Sequence, residues 1–377
     1  MNSGSDLRIA FLGDIMPGGV ISGKDEFIDE NVLQYLNGFD LRIATLECAI
    51  GDDYEYDRVK MQGRMNIIYA KDVDLRKIEI LNINIVTLAN NHIFDLGLDG
   101  FQHICKLLDK RKILRCGAGM TSEEAAKPVI VEEKGKRVCF FSYCQYNTPY
   151  VGYVPVATKN SAGVNPLDIN KVIVDITEAK KEFDYVFVIP HWGVEYISCP
   201  TVECKKLAYK MIEAGADGVI GGHPHRVQSC LQYRGKPIFF SLGNFLFADF
   251  FMAPPRPIWY PCENDVEMGQ IKITNDYPFP VKEPLKRIWR NFSRIGMIAE
   301  ISIGSRLKVS WNTVRLAESN RLSFYPRPLK FKIKLYLIEL FIQMPWYDGG
   351  KFVMNVRELL SKKSYMNRLR RYWRGNN

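Results

Sequence analysis

Four of the chain's five histidines fall in three short runs where imidazoles stand beside carboxylate or amide oxygens. These are LANNHIFDLG (Asn90, Asn91, His92, Asp95), VIPHWGVEY (His191, Glu195) and VIGGHPHRVQ (His223, His225). Two earlier apolar runs end on an acid: IAFLGD at Asp14 and ATLE at Glu47. Imidazole nitrogen mixed with carboxylate oxygen is the donor set of Mn, Fe or Zn rather than of Ca, which takes oxygen alone. Taken together the residues spell a metal site.

Single residues leave more than one role open. Asp14, ahead of Met-Pro-Gly-Gly, could instead form a turn, and His191 could simply donate a hydrogen bond at a strand end. Asn91 offers a neutral oxygen ligand, while His92 beside it is either a ligand or a proton donor. Glu195 reads as a residue that orients a ligand imidazole. In Gly221-Gly222-His223-Pro224-His225 the glycines are expected to turn the backbone and the proline to stiffen it, so that both imidazoles face one pocket. His103, in FQHI, lacks such neighbours and reads as structural.

The elements that must position these residues are buried strands alternating with helices, bounded by Gly, Asn and Asp. Strands are expected over 7–13, 41–47, 83–90, 112–117, 128–145 (a pair about Lys134-Gly135-Lys136), 185–190, 218–221, 296–303 and 307–316. Helices are expected over 98–111, 168–183 and 201–214, with Gly215 as a stop signal. A hairpin should turn at Tyr233-Arg234-Gly235-Lys236. Each candidate residue then lies at the carboxyl end of a strand, where open α/β sheets place their ligand sites. From 250 to 292 prolines and aromatics crowd together, which excludes a central strand or a long helix and predicts an inserted loop beside the site. Its Trp259, Tyr260 and Trp289 are read as packing residues or as part of a lid.

The 377 residues, 47% hydrophobic and 25% charged, describe a globular chain with a large core and exclude disorder. Nine cysteines without a CxxC pair suit reduced thiols and a cytoplasmic setting. No signal for export and no membrane-spanning run is expected. The net charge of +9 is concentrated: residues 326–377 hold 12 Lys+Arg against 3 Asp+Glu, leaving 39 of each sign in the first 325. The chain therefore divides into a domain over 1–325, carrying the 250–292 insertion, and a basic C-terminal extension over 326–377. Residues 357–374, RELLSKKSYMNRLRRYWR, read as a basic helix able to lie on an anionic membrane. Nucleic acid is not an expected partner, since the neutral remainder offers no second basic surface.

The motifs GDIMPGG, TLECAI, LANNHIFDLGLDGF, IPHWGVEY, GADGVIGGHPHRVQ and IFFSLGNFLFAD, in this order over roughly 7–250, resemble the bacterial capsule-synthesis CapA family. That family is associated with poly-γ-glutamate synthesis and is a branch of the calcineurin-like metallophosphoesterases. The resemblance implies a four-layer α/β/β/α sandwich with a site for two divalent metals (Mn, Fe or Zn). On its motifs Asp14 and His225 would bind one metal and Asn91, His191 and His223 the other. Glu47 would bridge them, and His92 would protonate the leaving group. An in-line attack at phosphorus by a metal-activated hydroxide follows, on a phosphorylated small molecule or polymer and in company with capsule-synthesis proteins. Two features set the branch apart: Met16 stands where the wider superfamily has a histidine, and Glu47 where it has an aspartate. Hydrolysis of a γ-glutamyl amide, or a non-catalytic place in a polymer-synthesis complex, are the alternatives that the same residues leave open.

Overall fold

The computed structural model describes residues 6–52, 67–146, 154–253, 258–260, 272–274 and 283–348. Two large sheets face each other. In the first the order is Leu322–Phe324, Leu307–Leu316, Ile295–Ile303, Leu7–Met16, Leu41–Leu46, Ile85–Thr87, Leu114–Cys116. The last four run parallel, and Ile295–Ile303 joins antiparallel to Leu7–Met16. In the second the order is Cys230–Tyr233, Lys236–Phe239, Gly218–Ile220, Tyr185–His191, Lys136–Cys144, Val129–Glu133, with the inner four parallel. Asn244–Phe247 runs beside the end of Leu7–Met16, Asp14 opposite Asn244.

Alternation along these strands assigns the layers. Leu7, Ile9 and Phe11 enter one apolar cluster with Phe140, Phe187 and Ile189 of the other sheet, which makes that cluster the filling between the sheets. The alternate residues Ala10 and Leu12 pack outward with Val32, Leu36, Phe101, Ile104 and Leu108, from the helices Glu30–Asn37 and Gly97–Lys110. On the far side Cys139, Phe141, Val186 and Val188 meet Val172, Ile176, Ala208 and Met211 of Ile169–Glu182 and Val202–Glu213. The fold is therefore an α/β/β/α sandwich, as expected. The helices begin where side chains can accept their first free amides: Asp168 from Asn170 and Thr201 from Cys204, each at 3.0 Å.

Some expectations change on contact with the structure. The strand foreseen over 83–90 narrows to Ile85–Thr87, because the chain must leave the sheet to bring Asn91 and His92 round. The stretch foreseen as a loop contributes short strands, Phe250–Ala253, Ile258–Tyr260, Lys272–Thr274 and Leu285–Arg287, to a sheet with Ala49–Ile50 and Ile67–Ala70. Each is only three or four residues long, and none of the four contains a proline. Trp289 is buried, its indole donating to Ala248 O at 3.0 Å; the side chains of Trp259 and Tyr260 lie outside the described residues. So does the basic stretch 357–374. The first part of the extension is the helix Pro328–Gln343, whose Phe331 and Leu335 close the filling between the sheets. All eight cysteines among the described residues are free thiols.

One buried ion pair fastens these pieces together. Asp249 accepts Arg294 Nη2 on both carboxylate oxygens (2.6 and 2.5 Å), the Trp289 amide (2.8 Å) and Asn320 Nδ2 (3.0 Å). Asn320 returns an oxygen to the Asp249 amide at 2.8 Å. Breaking one side of such a pair leaves a buried charge alone, so Asp249→Ala should cost about 3–5 kcal/mol in urea denaturation. A loss below 1 kcal/mol would place Asp249 with surface ion pairs.

Candidate metal centre

Each of the five runs delivers its side chain from the carboxyl end of a strand or the turn just after it. Asp14 sits near the end of Leu7–Met16, Glu47 directly after Leu41–Leu46, and His191 ends Tyr185–His191. Asn91 and His92 lie in the turn after Ile85–Thr87, and His223 and His225 in the turn after Gly218–Ile220. All seven are buried.

Four donor atoms meet at His191 Nε2: Asn91 Oδ1 at 2.9 Å, His223 Nδ1 at 3.2 Å and Glu47 Oε1 at 3.3 Å surround it. On the other side of Glu47, His225 Nε2 is 3.6 Å from the same Oε1, and Asp14 completes a second group with Glu47 and His225. Ligands about 2.0–2.2 Å from a tetrahedral ion lie roughly 3.3 Å from one another. The donors thus stand at the spacing an ion would impose, in two groups that share Glu47. Both Glu47 oxygens and Asp14 Oδ1 are buried without a hydrogen-bond partner. Oxygens so placed lack the donors a carboxylate needs, and a cation would supply what is missing.

Electrostatics tell the same story. Burial, and then the charges of Asp14 and Glu195, push the Glu47 carboxyl well above its usual range, while burial lifts Asp14 to about 7. Burial, then the neighbouring His223, holds both His191 and His225 well below the usual imidazole value, in the neutral form that a metal requires.

The surrounding contacts aim the ligands. Asn244 Nδ2 donates to Ser293 O (3.0 Å), which turns its Oδ1 toward His225 Nδ1 at 2.9 Å. An amide oxygen only accepts, so Nδ1 carries the proton and Nε2 keeps its lone pair for the site. Tyr196, Phe247 and Trp289 hold that ring at centroid distances of 5.8, 5.3 and 5.3 Å. His223 N donates to Asp14 Oδ2 at 3.1 Å. His92 is not in either donor group; its Nδ1 faces Asp95 Oδ2 at 2.6 Å, and that oxygen also accepts the Ile68 amide at 2.8 Å. Asn90 pins the turn, donating to Leu46 O and accepting from the His92 amide. Glu195 is half-buried in the loop after His191, outside the donor groups.

The role foreseen for the glycines is different in the structure. Gly221 and Gly222 do not take the left-handed conformation; His223 (φ 95°) and His225 (φ 51°) do. The glycines provide clearance, since a Cβ at Gly222 would stand 2.6 Å from Asp14 Oδ1 and one at Gly221 2.2 Å from Phe240 O. Holding two histidines at positive φ costs about 1–3 kcal/mol each, which the surrounding packing must offset. Met16 packs in the outer core by Gly18 and Gly19 and takes no part in the site. His103 pairs with Asp72 at 2.8 Å, a structural contact as foreseen. Asn244 was not singled out as a site residue, and Asp95, named with its run, was given no role of its own. The only trace of them in the sequence is their place inside the SLGNF and NNHIFD runs.

The family model for Bacterial capsule synthesis protein PGA_cap matches residues 8–249, from the first strand to the Asp249 clamp. The chain belongs to this family. It is 30% identical over 244 residues to the PGA biosynthesis protein CapA of Bacillus subtilis, covering 64% of this chain and 63% of that protein. Against the Capsule biosynthesis protein CapA of Bacillus anthracis it is 30% identical over 253 residues, 64% and 60% of the two chains. The chain thus spans a little under two thirds of the length of these curated relatives. Among solved structures the calcineurin-like phosphoesterase YfkN from Bacillus subtilis overlaps it at 15% identity and a TM-score of 0.42, over 89% and 97% of the chains.

Two outcomes check the site. His191→Ala and His223→Ala should each bind Mn or Zn at least about 10–100-fold more weakly by elemental analysis after dialysis; full occupancy in both would show that the imidazoles are not ligands. In the metal-free chain, a carboxyl whose folded pKa is raised loses stability as pH climbs toward that pKa. Above the free imidazole value of about 6.5 the neutral histidines no longer contribute, so the melting temperature should fall from pH 6.5 to 8. Glu47→Gln should flatten that slope. An unchanged slope in the variant would mean that Glu47 is not the group responsible.

Proposed function

We propose that this chain is a metal-dependent hydrolase of capsule or exopolymer metabolism, acting on phosphate esters. The observation that carries the reading is Glu47, shared by two donor groups, with both of its oxygens buried and without hydrogen bonds. Asp14, Glu47 and His225 would hold one divalent ion, and Asn91, His191 and His223 with Glu47 the other. Two such ions, when bound, supply Lewis acidity toward water and toward the oxygens of a phosphoryl group.

The chain's own residues do the rest. His92 is held by Asp95 through Nδ1, which leaves Nε2 as the ring nitrogen free to hand a proton to a departing oxygen. Asp95 is itself fixed by the Ile68 amide, so the ring keeps one tautomer and one orientation. Asn244 does the same for His225. Glu195 is given a supporting role, because it is the half-buried carboxylate whose charge reaches Glu47. Burial of all the donors excludes bulk water and strengthens each electrostatic contact.

A second reading keeps the metals and changes the bond. The relatives are named for PGA and capsule biosynthesis, and a proton-donating His92 serves an amine leaving group as well as an alcohol, so a γ-glutamyl amide is the alternative substrate. Phosphomonoesters, phosphodiesters and γ-glutamyl peptides assayed side by side separate the two. His92→Asn should retain metal by elemental analysis yet lose about 10²–10⁴ in rate on poor leaving groups and less on good ones. Loss of metal, or an equal loss on both kinds of substrate, would remove His92 from the proton-transfer role.

A further inference from the structure

The helix Pro328–Gln343 is apolar on both sides, and only one side is used. Phe331 and Leu335 fill the space between the sheets, and Ile342 joins the outer core. Its end is fastened, with Tyr347 buried and its hydroxyl donating to Pro200 O. Outward, Leu329, Ile333, Tyr336, Leu337, Leu340 and Met344 are all exposed, Leu329 at 71% and Leu337 at 59%. At 3.6 residues per turn these six fall within about 100° of arc, forming one continuous stripe along the helix. Single exposed leucines are ordinary, whereas a contiguous stripe of this kind marks a contact surface.

We propose that this stripe docks on the surface of an anionic lipid bilayer. The charge around it selects that occupant. Lys330 and Lys332 flank the stripe on its two sides near its start, residues 326–348 carry 4 Lys+Arg against 2 Asp+Glu, and the sequence of 349–377 holds a further 8 against 1. A second copy of the chain would bring two such basic surfaces face to face, while anionic headgroups neutralise them at about 1 kcal/mol per basic residue. Tyr336, and Trp346 (63% exposed) just past the helix, have the amphipathic rings that settle at headgroup depth. No helix among the described residues is long and apolar enough to cross a membrane, so the contact lies in the plane of the interface.

The surface also adjoins the metal centre. Lys334 Nζ lies 4.3 Å from the centroid of the Phe292 ring, and Arg226, next to His225, places its guanidinium 5.5 Å from the same ring. The His225 turn is therefore two side chains, Phe292 and Lys334, from the helix that would dock, and a substrate borne on or made at a membrane would be near it. The docking itself does not depend on the hydrolase reading.

The test is flotation of the full chain with vesicles of phosphatidylcholine alone or mixed with phosphatidylglycerol. The wild-type protein should float with the mixed vesicles, float poorly with the neutral ones, and lose binding as salt shortens the Debye length. Ile333→Glu/Leu337→Glu, which leaves every basic residue in place, should bind at least about tenfold more weakly with an unchanged melting temperature. Leu329→Gln/Met344→Gln, at the two ends of the stripe, should act in the same direction and guards against a loss through misfolding. Equal flotation of wild type and both variants would assign binding to the basic tail alone and overturn the proposal. Failure of the wild type to float, or an assembly seen by light scattering that the variants dissolve without any flotation, would overturn it in favour of a free surface or a second copy.

Discussion

Two carboxylates, Asp14 and Glu47, are taken out of water with three of their four oxygens unpartnered, and most of the site follows from that expense. Charged and close together they would repel; protonated they would bind no cation. The fold holds them at the meeting point of adjacent parallel strands, Leu7–Met16 and Leu41–Leu46, whose register fixes their separation. Around them it gathers His191 and His225, kept neutral by burial, which bring no positive charge of their own. His223 and His225 accept an unfavourable backbone to reach that point, and Gly222 gives up its side chain to make room for Asp14.

Strand ends were the legible part. Asp14, Glu47, His191, His223 and His225 could be placed from local pattern because each apolar run stops where its candidate donor begins, and the alternation that builds the sheets is written residue by residue. Long-range choices were not legible. Asn244 matters because its amide is turned by Ser293, 49 positions away, and Asp95 because the Ile68 amide returns to it. The proline-rich stretch hid its strands, since strands this short give too few alternations to read. The Pro328–Gln343 helix was hidden for the opposite reason: with apolar residues on both faces it shows almost no period of 3.6.

The family likeness stops at 249, yet the structure does not. Asp249 is the hub through which the matched region grips Trp289, Arg294 and Asn320, and Trp289 lies on the ring of His225. The residues beyond the match thus shape the site from behind.

The pairing of Leu7–Met16 with Ile295–Ile303 has a consequence for how the molecule comes into being. One edge of the strand that carries Asp14 stays open until almost 300 further residues have been made. At about 5–20 residues per second that is a wait of some tens of seconds or less, during which an apolar edge is available to any other unpaired strand. High contact order of this kind slows folding. Newly made chains should therefore be at their most vulnerable to clumping before Ile295–Ile303 has been made, and the finished sheet, closed on that edge, far less so.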